Sequence, residues 1–594
     1  AQADKDKAAK AAALAATQKA ELEKKAKLAA QAEKDKAAKA AALAAAQKAE
    51  QEKQAKLAAQ AEKDKAAKAA ALAAAQKAEQ EKQAKLVAQA EKDKAAKAAA
   101  LAAAQKAEQE KQAKLAAEKE KAKAAALIAQ QQATTEAAAR RERLQAAKAA
   151  AVAERASAVS TSTTYKASGK TTPNGADASS NAAGTIPAWS GKMRGLPKGL
   201  RYSGSGDIRP DPYAKEKPLF TIHAANVDKY ADKLGAGQIK LFKRYPDSFF
   251  MHIYPTHREG RYSQLWEDRT AFNAKNTKLI NGGDGLKGYT GGIPFPNPKN
   301  GAEAIWNGRI SHPQPTVVGI MDDMAVYMNG NTQLQRQEYV SEYPFSYKEN
   351  QVGKTDEQIS INAAYVHVTT EQPRRKKGEM VIVHEALDQV KYERKAWAYI
   401  PGARRVRRAP TVGFDTPNGP GGLVTVDDAY GFNGALDRFN WKLIGKKEIY
   451  IPYHNYKFDK PKTNYEKLLN KGHANPEFMR YELHRTWVVE ATLKNGARHV
   501  YAKRRFYVDE DSWQIALLES YDGRDDLWRV GILNTIYAYD VQGFVARAQM
   551  FHDLQSGAYI AARLVNETTP SDFTAEPKGE TYFSPSNLRK MGTR

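Results

Sequence analysis

The chain is organised around the residues from Lys391 to Phe432, which read KYERKAWAYIPGARRVRRAPTVGFDTPNGPGGLVTVDDAYGF. From Ala396 to Ile400, aliphatic side chains alternate with aromatic ones, which is typical of a β-strand that packs on at least one side. The dipeptide PG interrupts this pattern, and a second short run with four arginines follows at 403–409. The stretch therefore predicts β-structure that ends in a basic run and a loop rich in proline and glycine.

Several blocks of the chain, including this one, resemble a known family. In chain order they are GTIPAW, EKPLFTI, a Y-P-T segment, GGIPFP with a following E-x-x-W-N, YIP with RRVRR and DD, YAKRRFYVDEDSW and YDGRDDLWRV. They resemble the bacterial domain of unknown function 1329, which is part of the LolA/LolB-like, outer-membrane lipoprotein-sorting-like superfamily. The resemblance covers nearly all of residues 184–594.

This resemblance implies an α+β fold. The expected domain is a strongly curved antiparallel β-sheet, a Lol-like unclosed barrel, with helices on its concave side. Between sheet and helices the resemblance implies an apolar cavity that holds acyl chains.

The composition limits the classes of protein to consider. A chain of 594 residues is expected to form two or more domains, and the lack of cysteine fits an oxidising compartment. No apolar run approaches the ~20 residues that a membrane helix needs. A net charge of +25 suits anionic partners or serves solubility, but no nucleic-acid-binding motif accompanies it. The start at Ala1 predicts a processed chain without its signal peptide or an acylated N-terminal cysteine, although an engineered start looks the same.

A repeat of 29 residues fills the N-terminal part of the chain, with copies that begin at Gln2, Gln31, Gln60 and Gln89. Residues 1–156 are rich in Ala, Lys, Glu and Gln, and they predict a very long α-helix. Its leucines are alternately 14 and 15 residues apart, which forms one thin axial stripe on a straight helix. The composition resembles the Lys/Ala-rich middle domain of TolA. We expect a tether, with a solubilising repeat or an oligomerising, coiled-coil-like stalk as alternatives.

The composition changes twice after the repeat, and this predicts three segments. Residues 1–156 form the helix, 157–183 form a flexible linker rich in Ser, Thr, Gly and Asn, and 184–594 form the β-domain. A helix interrupted by glycine is predicted over 226–244. The predicted strands are 358–370, 379–386, 389–400, 485–493, 499–508, 512–521 and 527–536, the last four as a meander with turns such as KNGA and DGRD.

We find no pattern that predicts catalysis, a bound cofactor or a metal site. HExxH, Walker A and EF-hand motifs are missing from the sequence. His252 and His257 lie at opposite parity on a strand-like run, which does not suit a shared metal. The acidic pairs Asp427-Asp428 and Asp509/Asp511 suit turns and capping better than a cation. We therefore expect that the protein is not an enzyme.

The candidate site residues form two groups. Bulky side chains on predicted strands are candidates for a ligand cavity, with ordinary core as the alternative for each of them. These are Trp397, Tyr399, Phe432, Phe439, Trp441, Trp487, Phe506, Trp513 and Trp528. The second group is a basic contact patch that suits phosphate head groups or an acidic partner, with a charged, aggregation-resistant strand edge as the alternative. It consists of Arg404, Arg405, Arg407 and Arg408.

From these features we expect a periplasmic lipid-carrier-like protein that binds a hydrophobic ligand, such as a lipid or acyl chain, in the hollow of a curved sheet. The resemblance implies work beside an RND-type exporter and an outer-membrane β-barrel, and hence association with the outer membrane. The alternative is a structural or assembly protein of the cell envelope that carries no cargo and uses the helix as a spacer.

Overall fold

The computed structural model describes residues 169–204, 206–409 and 413–593. It also describes residues 16–17, 19–20, 22–27, 31, 33 and 52, which are helical and exposed. The rest of the predicted repeat helix, and the predicted linker up to residue 168, lie outside the described residues. The chain divides into two compact units, Ala1–Ser162 and Thr163–Arg594. The second unit is the β-domain.

Nineteen strands are present within the described part of the β-domain. In chain order they are β1 (Phe220–Ile222), β2 (Met251–Ile253), β3 (Lys278–Ile280), β4 (Gly285–Lys287), β5 (Thr316–Val326), β6 (Thr332–Glu342), β7 (Asn362–Gln372), β8 (Met380–Ala386), β9 (Lys395–Ile400), β10 (Arg405–Arg408), β11 (Pro417–Asn418), β12 (Val424–Thr425), β13 (Phe439–Pro452), β14 (Tyr481–Leu493), β15 (Lys503–Asp509), β16 (Ile515–Tyr521), β17 (Leu527–Ala538), β18 (Gly543–Asp553) and β19 (Tyr559–Leu564). Strands β3 and β4 pair with each other, as do β11 and β12.

The other fifteen strands form one large sheet. From one edge its order is β13-β14-β15-β16-β17-β18-β19-β5-β6-β7-β8-β9-β10, and all these neighbours are antiparallel. The pair β1–β2 joins the end of β14 through a parallel contact at Tyr481. Among the described strands the path ends at β13 and β10. The prediction of a large, unclosed antiparallel sheet is therefore confirmed.

The sheet consists of two halves, β5–β10 and β13–β19. Strand β19, the last of the second half, pairs with β5, the first strand of the other half. This pairing places β10 and β13 at opposite edges, although only a short stretch of chain separates them. The described part of that stretch, residues 413–438, runs across one face of the sheet, and we call it the crossing segment. Gly431 allows this close approach, because it has φ 86° and a Cβ there would lie 2.7 Å from Cγ2 of Ile515.

Six α-helices accompany the sheet in the described residues. They are α1 (Ala236–Arg244), α2 (Gln264–Asn276), α3 (Gly301–Ile310), α4 (Asp356–Ile359), α5 (Tyr465–Leu468) and α6 (Pro585–Gly592). Polar side chains begin the longer ones: Ser263 accepts a hydrogen bond from the backbone N–H of Trp266 at the start of α2, and Asn300 accepts one from Glu303 at the start of α3.

The helices lie on both faces of the sheet. Phe506 and Tyr507 are neighbours on β15 and point to opposite faces. Phe432 of the crossing segment lies on the Phe506 face, with its ring centroid 5.8 Å from that of Phe506. Gly235, which begins α1, lies on the Tyr507 face, where a Cβ would be 3.5 Å from the Tyr507 ring.

Helix α3 lies on the Phe506 face beside the crossing segment. A Cβ on its Gly308 would lie 2.9 Å from Cγ1 of Ile515, the residue that Gly431 also contacts. The sequence predicts helices on the concave side alone. The structure instead divides the helices between the two faces, because the strands of this half are apolar on both.

The strands from β14 to β19 are packed by their own side chains, whereas residues 440–448 of the edge strand β13 are exposed or half-buried. All seven residues of β16 are buried, and every residue of β17 after Trp528 is buried as well. Covering elements on both faces explain this burial. In this half the interior is packed core.

Most predicted elements are present with shifted ends. The predicted helix 226–244 divides into a 3₁₀ helix, Val227–Lys233, and α1. The predicted strand 389–400 begins only at Lys395, and the first residues of 358–370 form α4. These ends move because turns and capping residues at the borders compete with strand pairing.

The described part of the predicted linker, 169–183, packs onto the β-domain. The backbone carbonyl of Asn174 accepts a hydrogen bond from Nε1 of Trp513 at 2.9 Å, and that of Asp177 accepts one from Arg258. Gly175 has φ 87°, and a Cβ there would lie within 1.9 Å of the Pro296 carbonyl oxygen. The composition that favours a flexible linker here serves close packing instead.

Candidate functional site

Strands β7, β8 and β9 carry apolar residues on both of their faces. The run Met380–Val381–Ile382–Val383 shows this most clearly, since a strand with one solvated face normally alternates apolar and polar residues. A continuous apolar run predicts a strand that is covered on both sides. The described residues cover one side only.

The covered side belongs to the Tyr507 face, and α6 packs on it. Leu588 of α6 is buried with Met380, Ile382 and Tyr399 in one hydrophobic cluster. The Tyr399 hydroxyl donates a hydrogen bond to the carbonyl oxygen of Gly592 at 2.5 Å. The C-terminal helix therefore holds this side of β8 and β9.

The uncovered side consists of aligned cross-strand neighbours, whose side chains share one face. One row joins Val368, Val381 and Ala398, and the next joins Val366, Val383 and Ala396. Val381 is 37% exposed and Ile400, at the end of β9, is 43% exposed. We call these residues, Val366, Val368, Val381, Val383, Ala396, Ala398 and Ile400, the open apolar face.

Two arginines extend the open apolar face at the edge of the sheet. Arg407 pairs with Ala398 across β9 and β10, and Arg405 pairs with Ile400. Both are exposed, and neither forms an ion pair with an acidic residue in the part of the chain that the structure describes. Arg408 pairs with Trp397 on the other side, and Arg404 has φ 48° in the turn before β10. The predicted basic patch is thus divided, with two arginines on the open apolar face.

A small cavity adjoins the inner end of the open apolar face. Its volume is about 60 Å³, which is room for about two water molecules. The lining residues come from α3, β7, β8, the crossing segment and the loops that follow β4, α3 and β6. They are Tyr289, Arg309, Ile310, His312, Tyr343, Phe345, Ser346, Ala363, Ala364, Val366, Glu385, Tyr430 and Asn433. Because Val366 belongs to both features, the cavity is continuous with the open apolar face.

Buried polar groups surround this cavity. Nη1 of Arg309 and Oε2 of Glu385 have no hydrogen-bond partner among the described residues. The other Glu385 oxygen pairs with Arg394 at 2.9 Å. Burial lowers the pKa of the Arg309 guanidinium. Burial, with Arg563 nearby, also lowers the pKa of His312 to about 3, so this imidazole is neutral at pH 7.

A larger open cleft of about 800 Å³ lies elsewhere, between α1 and the β16–β17 turn. Lys240, Lys243 and Arg244 line one wall, and Arg524, Asp525 and Asp526 line the other. The second wall carries charges of both signs. We do not place the site in this cleft.

The structure disperses the nine aromatic candidates. Phe432 of the crossing segment forms one aromatic cluster with the buried Phe439 and Phe506 and the half-buried Trp441. The residues that line the small cavity and form the open apolar face are others than these nine. Whether any of the nine contacts a ligand stays a prediction.

The other five candidates occupy three further places. Trp487 and Trp513 stack with ring centroids 6.4 Å apart. Trp397 and Tyr399 lie under α6, and Nε1 of Trp528 donates to Asp553 at 2.9 Å. The sequence analysis proposes all nine as cavity candidates on strands, but Phe432 and Trp513 lie in the segments between strands. The choice between cavity lining and core stays open for each of them.

The acidic pairs have structural partners. The Arg504 guanidinium binds Asp427 at 3.0 Å and Asp428 at 2.7 Å. His257 lies between Glu216 and Glu259 at 2.7 and 3.1 Å. His252 contacts Thr221 instead.

No described helix is long and apolar enough to span a membrane.

The small valines and alanines of the open apolar face are not among the site residues predicted from the sequence. A signal for them exists in the run MVIV, in which a strand near an edge is apolar at every position. The cavity candidates were chosen for their bulk, which favours Trp and Phe. These are the residues that fill a core most efficiently.

Known proteins have sequences related to this chain. The model of the family "Protein of unknown function (DUF1329)" matches residues 221–589. The uncharacterized protein PA3922 of Pseudomonas aeruginosa is 42% identical over 427 residues, which is 71% of this chain and 92% of the relative.

Two solved structures resemble part of the chain. A DUF1329 family protein from Desulfovibrio piger has a TM-score of 0.33 and 13% identity, and the match covers 48% of this chain and 95% of that one. The LolA superfamily protein NE2245 from Nitrosomonas europaea has a TM-score of 0.30 and 12% identity, with 48% and 98% covered. On the sequence matches, the chain belongs to the DUF1329 family.

Proposed function

We propose that this protein is a non-catalytic carrier that holds the hydrocarbon part of an amphipathic ligand on its open apolar face. The observation that supports the proposal is the exposure of apolar side chains on strands whose other face is packed. Val381 and Ile400 remain 37% and 43% exposed although they extend a continuous row of valine and alanine. Exposed contiguous apolar patches are the surfaces at which proteins bind partners or ligands.

The ligand class follows from the two arginines at the edge. Arg405 and Arg407 point to the same side as Ile400 and Ala398. A lipid with an anionic head group satisfies both features, since its chain covers the apolar rows and its head group pairs with the guanidinium groups. The small cavity of about 60 Å³ is too small for an acyl chain, so the chain would lie along the open apolar face.

The wider role is part of the same proposal. A carrier of this kind would act in the periplasm and exchange its ligand with an RND-type exporter and an outer-membrane β-barrel. The repeat 1–156 would serve as a tether. If the length of the tether matters, shortening it by whole 29-residue copies should reduce ligand exchange in steps. Unchanged ligand exchange would contradict the tether.

Two measurements test the carrier. Organic extraction and mass spectrometry of the native chain should recover a lipid, and the fluorescent fatty acid cis-parinarate should bind to the delipidated chain. Ile400→Asp puts a charge on the open apolar face and should weaken binding at least tenfold. Ile444→Asp is the matched control, because Ile444 is 50% exposed on β13 at the opposite edge.

The outcomes separate the carrier from a structural protein. Lipid recovery together with a selective effect of Ile400→Asp supports the carrier. If the chain carries no lipid and binds no fatty acid, or if both variants bind equally well, the carrier proposal is wrong. The structural or assembly alternative would then be the better account of the protein.

A further inference from the structure

A histidine and two aspartates meet at the turn between β15 and β16, away from the open apolar face. The register of β14 and β15 pairs Thr486 with Asp509, which brings His484 opposite the turn that contains Asp511. Nδ1 of His484 lies 3.5 Å from Oδ1 of Asp509 and 3.9 Å from Oδ2 of Asp511. All three ligand atoms lie within 4.8 Å of one another.

Two of these atoms have no hydrogen-bond partner in the described structure. They are Nδ1 of His484 and Oδ1 of Asp509, and both side chains are 1% exposed. A buried polar atom without a partner costs about 1–3 kcal/mol, so two that face each other at 3.5 Å call for either a proton on Nδ1 directed at Oδ1 or a cation that both atoms bind. Two ligand atoms on a tetrahedral zinc ion are about 3.4 Å apart, close to the distances found here.

The remaining atoms of the three residues are held in place. Nε2 of His484 contacts Glu482 at 3.3 Å, which is the carboxylate–histidine arrangement common behind metal ligands. Oδ2 of Asp509 accepts hydrogen bonds from the hydroxyl groups of Tyr453 and Ser512. These contacts leave Nδ1 and Oδ1 directed at each other.

The other carboxylates of this turn already have cationic partners. Arg258 binds both oxygens of Asp511, including at 2.7 Å the Oδ2 that faces His484, and Lys446 pairs with Glu510 at 2.6 Å. Asp509 has no arginine or lysine within ion-pair distance in the described residues, and His484 is its one ionic neighbour. Either a proton on His484 or a metal ion supplies the missing positive charge.

We propose that His484, Asp509 and Asp511 bind a divalent transition-metal ion, with zinc as the best match to one imidazole and two carboxylates. One nitrogen and two oxygen ligands suit zinc, and water would take the fourth position. The ion would link β14 to the β15–β16 turn. Through Asp511 and Arg258 it would also stabilise the docking of the segment around Asp177, whose carbonyl Arg258 binds.

The experiment uses the full chain without a histidine tag. We expect about one zinc per chain after refolding in zinc, a higher unfolding temperature than after refolding in a chelator, and X-ray absorption with N/O ligands at ~2.0–2.2 Å. The isosteric variants His484→Gln and Asp509→Asn should lower the zinc content at least tenfold. His552→Gln, which changes a buried histidine on β18, should keep it.

Three results would overturn the proposal. The first is a native chain that refolds in zinc yet holds no more than background metal. The second is a folded Asp509→Asn variant that keeps its zinc, which would place the ion elsewhere. The third is sulfur ligation or an absorption spectrum without imidazole. The measurements on the native chain decide the question even where a variant fails to fold.

Discussion

Nη2 of Arg504 donates a 2.7 Å hydrogen bond to Oδ1 of Asp428, a residue 76 positions earlier in the chain. The same guanidinium binds Asp427 through Nη1, and all three side chains are buried. This contact fastens the crossing segment to β15. Without it, Asp428 would lose its ion pair in the core, and Asp427 would keep its contact with His499.

Arg504→Ala should therefore destabilise the domain by about 3–5 kcal/mol, the usual cost of removing one partner from a buried ion pair. Arg408→Ala, an exposed arginine on β10, should change the free energy of unfolding by less than about 0.5 kcal/mol. Urea denaturation of both variants measures the difference. Equal stability of the two would show that the crossing segment does not depend on this pair.

The C-terminal helix should contribute to stability through one leucine. Leu588→Ala removes a buried side chain that packs on Met380, Ile382 and Tyr399, and it should cost about 2–5 kcal/mol. Arg589→Ala changes the next residue, which is exposed, and serves as the control. If thermal unfolding of the two variants coincides, then α6 does not cover β8 and β9 in solution.

Acid should destabilise the domain through a buried histidine. Burial lowers the pKa of His367 to about 4, whereas in the unfolded chain it is about 6.5. The unfolded state therefore binds the proton first, so the stability that His367 contributes is present above pH 6.5 and is lost as the pH falls toward 4.

The variant His367→Phe tests this prediction. It keeps the aromatic ring beside Tyr582 but removes the titration, so stability should fall less between pH 6.5 and 4, by about 2–3 kcal/mol. Denaturant titrations at several pH values measure it. An unchanged pH dependence would mean that the His367 ring is exposed to water.

The arginines at the edge should make ligand binding sensitive to charge. Replacing Arg405 and Arg407 by alanine should weaken binding to phosphatidylglycerol vesicles about 25-fold at low salt, from about 1 kcal/mol for each charge. Replacing Arg404 and Arg408 removes the same charge away from the open apolar face and should have a smaller effect. Added salt should reduce the difference.

Two results would contradict this prediction. Equal losses in both double variants would mean that only the total charge matters. Equal binding to vesicles of phosphatidylcholine and phosphatidylglycerol would mean that the head group does not contact the arginines. Co-sedimentation with vesicles of each composition distinguishes these cases.

The meander of the second half was predictable in considerable detail. The turns KNGA and DGRD separate runs of strand-forming residues, and the strands β14 to β17 follow them with shifts of a few residues. Local turn chemistry and local alternation suffice there, because consecutive strands pair with each other. The open apolar face was not predictable in this way, since its exposure depends on which element covers which side.

The family could be recognised from the sequence blocks that resemble it. The antiparallel strands and the 29-residue repeat could be predicted as well, because alternation, turn residues and periodicity act over a few positions. The tertiary structure alone decided that β19 pairs with β5, that the crossing segment covers β13 to β19, and that α6 covers one side of β8 and β9. Apolar residues on both faces of a strand favour burial of both faces, but they do not identify the element that covers each face. Pairing between distant strands therefore settled which apolar surface was filled and which stayed open.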